Sequence, residues 1–172
     1  MNLQGKKVAV LAEDNYQELE LWYPYYRLLE AGAEVVLLGS GDKDVFKSKN
    51  GYPVRADMDA SDAKSADFDA VIVPGGFAPD KMRKVKAMTS FVADMHAEGK
   101  VVGAICHAAW VLVSAGILEG KRATCVSNIK DDVVNAGATY VDEEVVVDGN
   151  LITSRTPPDL PAFAKAIVDA LA

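Results

Sequence analysis

Cys106 and His107 are the residues of this sequence best placed to do chemistry. They lie in Val102–Trp110 (VGAICHAAW), where a β-type apolar run ends at the cysteine and a helical pattern starts at once. Gly103, Ala104, Ala108 and Ala109 keep the junction small. A nucleophile elbow needs such a turn, because strand and helix must approach closely for the nucleophile to stand above the sheet. A cysteine opening a helix also feels a dipole that favours thiolate, so its pKa is expected below the ordinary ~8.5. The same spacing fits a buried free cysteine packed as a small hydrophobe. His107 is adjacent to the thiol, and neighbouring side chains at a strand–helix junction are expected to diverge. The chain has two histidines, His96 and His107, and two cysteines, Cys106 and Cys125. That scarcity excludes most zinc sites, and the absence of any histidine after 107 excludes a triad completed downstream.

Two further segments reach the same place. Pro74-Gly75-Gly76 follows a buried strand, and glycines there let two backbone N–H groups approach a ligand, as an oxyanion hole requires; an ordinary strand-to-loop turn reads the same way. Asp14–Tyr25 (DNYQELELWYPY) follows the first strand and carries Glu18 and Glu20 at the start of a helix, where acids commonly serve the dipole. A carboxyl group buried beside a thiol would differ: burial raises its pKa, and in its protonated form it donates a hydrogen bond to thiolate. Gly39-Ser40-Gly41 lacks the third glycine and the following helix of a dinucleotide fingerprint, so no nicotinamide or flavin cofactor is implied.

Positioning these residues requires an alternating α/β chain. Strands are predicted at Lys6–Ala12, Ala33–Leu38, Asp69–Val73, Val101–Ile105, Arg122–Val126, Glu144–Val147 and Leu151–Thr153. A hairpin is predicted from Val45–Lys47 against Tyr52–Arg55. Helical spacing covers Glu18–Ala31, Pro79–Arg83, Val85–Glu98 and His107–Ala115, and Pro157 opens a C-terminal helix. The pattern implies a mostly parallel sheet covered on both faces, with ligands bound at the carboxyl edge of its strands.

At 172 residues the chain is sized for one domain spanning 1–172. With half its residues apolar it has ample core and needs neither disulfide nor metal to hold it. Its 18 bases against 25 acids leave a net charge of −7, which argues against general nucleic-acid or anionic-membrane binding. The apolar stretch Val101–Leu118 is interrupted by Gly103, His107, Ser114 and Gly116 and reads as buried strand plus helix, not a membrane span. Few cysteines and no leader-like segment ahead of the first strand point to a reducing cytoplasm.

Taken together, the motifs resemble the PfpI branch of the DJ-1/PfpI superfamily, whose members include intracellular cysteine proteases, glyoxalase III enzymes and protein deglycases. The resemblance runs through Glu20 with Tyr23-Pro24, Phe68-Asp69-Ala70 leading to PGGFAPD at 74–80, and AICH at 104–107. It continues through IKDDVVNAGA at 129–138, EVVVDGN at 144–150 and TSRTPPDLPAF at 153–163. It implies a flavodoxin-like three-layer sandwich assembling as a dimer or hexamer. It also implies a cofactor-free cysteine enzyme acting on small carbonyls or peptides, or a stress-responsive redox sensor or chaperone. Cys106 matches the nucleophile and Glu20 the carboxyl that touches it. Gly75, Gly76 and the His107 backbone match the oxyanion donors, and Asp80 the acid that approaches the histidine from a neighbouring subunit. The chain departs from close relatives at Gln17 (a glutamate there), at Ala108-Ala109-Trp110 (Gly-Pro-Gln there) and at Val126 beside Cys125. These changes remove a charge and make the pocket more apolar.

Overall fold

The computed structural model describes residues 2–172. Strand β1 (Lys7–Ala12) leads into helix α1 (Glu18–Glu30) and returns as β2 (Glu34–Gly39). The hairpin β3 (Val45–Lys47) and β4 (Pro53–Arg55) follows, then β5 (Met58–Asp59) and β6 (Ala70–Val73). Helices α2 (Ala78–Met82) and α3 (Lys86–Ala97) precede β7 (Val101–Ile105) and α4 (Ala109–Ala115). The chain then forms β8 (Arg122–Ala123), α5 (Lys130–Asn135), β9 (Thr139–Tyr140), β10 (Val145–Asp148), β11 (Leu151–Ser154) and α6 (Leu160–Leu171).

The main sheet runs β10-β11-β7-β6-β1-β2-β5 and is parallel except for the β10–β11 hairpin. Its central strands are apolar and buried along their whole length, as strands covered on both faces must be: VAVLA in β1, AVIV in β6 and VVGAI in β7. Helices α1 and α6 pack together on one face, while α2, α3 and α4 pack on the other. From β1 the chain turns to β2 on one side, then crosses to β6 on the other, so the direction of winding switches between β1 and β6. In open α/β sheets the crevice at the carboxyl ends of such a pair is where ligands bind. The loops after β1, β6 and β7 all open there.

The sequence-predicted strand at Arg122–Val126 is shorter than expected. Only Arg122 and Ala123 pair, with β9 in a separate two-stranded sheet. Beyond them the Thr124 N–H donates to the Thr153 hydroxyl and the Val126 N–H to the Cys106 carbonyl, so the backbone leaves ladder geometry. The elbow helix also differs: residues Cys106–Ala108 form a 3₁₀ turn before α4 begins at Ala109.

Candidate active site

The floor of the crevice is Cys106, in the left-handed region at φ +63°. A side chain larger than glycine rarely adopts that backbone, which costs roughly 1–3 kcal/mol and is held only where surrounding packing enforces it. Here β7 enters fully buried and Ala108, Ala109, Val111 and Leu112 fasten the helix behind. The turn leaves Cys106 buried, 9% exposed, at the base of the cavity.

Beneath the thiol lies Glu20, completely buried. The helix that carries it is capped by Gln17, whose side-chain oxygen accepts the Glu20 N–H at 2.9 Å. Glu20 Oε2 accepts the Gly75 N–H at 2.9 Å, and the Cys106 thiol bonds to the same carboxyl group. Oε1 is buried with no conventional partner among the described residues. Burial is the largest influence on this carboxyl and lifts its pKa from 4.5 to about 7, against the opposing pull of Gly75, Cys106 and Lys49. Glu18 has a different job. It accepts from the Ser48 hydroxyl and the Asn50 N–H and so ties α1 to the β3–β4 loop.

The thiol does not behave as the elbow position suggests. Burial, and then the adjacent Glu20 charge, push Cys106 up to about 12, outweighing the His107 and Gly76 N–H groups that point at the sulfur. The expectation of a depressed pKa is therefore corrected: a short 3₁₀ turn offers little dipole, and the neighbouring acid repels a second negative charge. The expected divergence of His107 is corrected too. Its Nδ1 lies 3.4 Å from the sulfur. Burial, and then Lys49, lower its pKa and so favour the neutral imidazole.

The glycines divide their roles. The Gly75 N–H is spent on Glu20, so it is not a free oxyanion donor as the sequence reading had it, whereas the Gly76 and His107 N–H groups converge on the thiol. A Cβ on Gly75 would sit 2.8 Å from the Cys106 Cβ and 2.9 Å from the Ile105 carbonyl. Gly76, at φ +82°, bridges to Tyr16, which locks the loops after β1 and β6 together across the switch point. Asp80 lies exposed on α2 and makes no side-chain hydrogen bond or ion pair to His107 among the described residues.

Sequence reasoning missed several neighbours. Lys49, Phe77 and Pro157 join Gln17, Glu20, Gly76, Cys106 and His107 around a cavity of about 140 Å³. Phe77 is 63% exposed, and its ring lies 6.3 Å from that of His107. The Trp110 ring lies 5.2 Å from the imidazole and donates its Nε1–H to Asp132 at 2.8 Å. Trp110 was visible as a departure from the family pattern, but its packing on His107 was not. Lys49 carried no signal at all, because only the folded hairpin brings it to Glu20.

A deglycase of Pyrococcus abyssi is 43% identical over 165 residues, covering 96% of this chain and 99% of that protein. The candidate cysteine protease YraA of Bacillus subtilis is 40% identical over 167 residues, covering 97% and 99%. The crystal structure of Drosophila melanogaster DJ-1beta superposes with a TM-score of 0.89 at 31% identity, covering 100% of this chain and 91% of that one. The sheet order and flanking helices are those of the flavodoxin-like sandwich of the DJ-1 structures it resembles. The DJ-1/PfpI family model matches residues 6–170, and the chain belongs to that family.

Proposed function

We propose that this protein is a cysteine-nucleophile enzyme acting on reactive carbonyls, converting methylglyoxal to lactate or removing such adducts from proteins. The observation that carries this reading is a thiol in contact with a wholly buried carboxyl group whose pKa sits at about 7. Such an acid gives and takes protons with equal ease near neutrality. The cavity, at about 140 Å³, is well below the roughly 300–1,000 Å³ of drug-sized sites and suits a three-carbon substrate.

Free thiolate is scarce with Cys106 pushed up to about 12. The sulfur therefore attacks the aldehyde carbon as its proton passes to the Glu20 carboxylate in the same step. The developing oxyanion is held by the Gly76 and His107 N–H groups, then takes the proton from Glu20 to give a hemithioacetal. Glu20, again a carboxylate, removes the hydrogen of the former aldehyde carbon as a proton, exchanges it with solvent, and delivers a proton to the adjacent ketone carbon through an enediol. The product is a lactyl thioester, and water cleaves it to lactate and the free thiol. One water is consumed and no net oxidation occurs.

A second reading is peptide hydrolysis, favoured by the 3.4 Å contact between Cys106 Sγ and His107 Nδ1. In that reading Asp80 from a neighbouring subunit orients the imidazole. Assembly as a dimer or hexamer in a reducing cytoplasm belongs to the same proposal. It is supported by the exposed apolar side chains of Leu19, Tyr23, Tyr26 and Leu29 on α1, and by two unbridged cysteines. No helix among the described residues is long and apolar enough to cross a membrane.

The test is lactate release from methylglyoxal without glutathione. The wild-type protein is expected to turn over and Cys106→Ala to be silent. Turnover that survives Cys106→Ala, or no turnover by either protein, overturns the carbonyl reading.

A further inference from the structure

The mechanism leaves one charged side chain at the pocket without a task. Lys49 lines the cavity with Glu20, Cys106 and His107 and is the only lysine or arginine among the lining residues. Its backbone is fixed, since its N–H donates to the Tyr16 carbonyl at 3.0 Å. On either side of it Ser48 and Asn50 are both anchored to Glu18. Two other lysines at this sheet edge, Lys43 and Lys81, share the Asp14 carboxylate, at 2.6 and 3.7 Å. Lys49 pairs with no carboxylate among the described residues. A cation held at a small cavity without a counter-ion is suited to supply one to a ligand. Its field already reaches the reacting groups, favouring ionised Glu20 and neutral His107.

Resting on the carbonyl chemistry above, we propose that Lys49 selects substrates carrying a negative charge: 2-oxoaldehydes whose far end bears a carboxylate. The ammonium holds the carboxylate at the mouth while the aldehyde carbon meets Cys106. The chemistry is unchanged and balanced. For 4,5-dioxopentanoate, thiol addition, proton transfer by Glu20 and hydrolysis consume one water and give 2-hydroxyglutarate, with no oxidant or reductant. The neutral 2-oxopentanal has the same chain length, with a methyl group in place of the carboxylate.

Alkylation of Cys106 tests the cation without relying on turnover. Iodoacetate and iodoacetamide differ in charge and little in size, and Cys106→Ala measures any background from Cys125. The ratio of iodoacetate to iodoacetamide rates is expected to fall roughly threefold or more in Lys49→Met, the effect of one unit charge several ångströms away in a largely aqueous setting. It is expected to recover in Lys49→Arg. An unchanged ratio, or an equal fall for both reagents, overturns the proposal. In turnover, Lys49→Met is expected to raise KM for 4,5-dioxopentanoate several-fold more than KM for 2-oxopentanal. Equal effects on the two substrates overturn it as well. If the wild type turns over methylglyoxal but not 4,5-dioxopentanoate, the proposal fails; if it turns over none of the three, the carbonyl reading fails, while the alkylation ratio still decides the role of Lys49.

Discussion

Glu20 and Cys106 touch, and burial raises both, so they titrate as a pair and not as two independent groups. Replacing Glu20 by glutamine removes the charge that opposes thiolate. The pH profile of Cys106 alkylation by iodoacetamide is then expected to move to lower pH, and a shift upward or none at all contradicts the coupling. Turnover should move the other way, falling by about 10²–10⁴-fold as the acid/base is lost. Stability supplies an independent check. The folded pKa of Glu20 lies above its unfolded value of 4.5, so its contribution is fully present below that pH and is lost as pH rises through about 7. The difference corresponds to about 3 kcal/mol. Glutamine keeps an acceptor for the Gly75 N–H. Urea denaturation should therefore find Glu20→Gln more stable than the wild type at pH 8, with the advantage shrinking towards pH 4.5. Equal stabilities at both pH values would show that the carboxyl is not held against its charge.

At the scale of the elements, the elbow stores strain that substitution can read. Alanine at position 106 keeps the left-handed backbone unfavourable, while glycine relieves it. Cys106→Gly is expected to be more stable than Cys106→Ala by about 1 kcal/mol in chemical denaturation. A less stable glycine variant would mean the turn is unstrained. Gly75→Ala drives a methyl group into the Glu20 carboxyl and the Cys106 Cβ, so a loss of about 1–3 kcal/mol is expected, together with most activity. The strand–turn–helix at 101–115 and the Gly75-Gly76 turn were legible because apolar runs and small residues mark them directly. Helix α5 was not, since only Val133 of its six residues is buried and no apolar face repeats. Strands β5 and β9 span two residues each, too short for any alternation to show. The candidate site was legible in the same measure. Cys106, Glu20 and Gly76 follow strands whose ends must converge, whereas Lys49 reaches the pocket through the Tyr16 and Glu18 hydrogen bonds, which no local pattern encodes.

Across the whole molecule, the β1–β6 switch point collects an acid from α1, one backbone donor from the loop after β6, and the nucleophile with a second donor from the turn after β7. Asp80 stands apart from this set and is expected to serve only across a subunit contact. Mixing inactive Cys106→Ser and Asp80→Ala proteins under conditions that exchange subunits should restore peptide cleavage, because mixed oligomers pair an intact Cys106 and His107 with an intact Asp80. No recovery after verified exchange would leave Asp80 a surface residue of α2. Small-carbonyl turnover requires no such contact, since Cys106 and Glu20 meet within one chain. Its most direct test is the lactate formed from methylglyoxal in D₂O without glutathione, examined by NMR. Glu20 exchanges its proton with solvent, so the wild-type product should carry deuterium at C2, and Glu20→Gln and Cys106→Ala should yield almost none. Lactate bearing only protium at C2, or formed equally well by either variant, would contradict proton transfer by Glu20 on a Cys106 adduct.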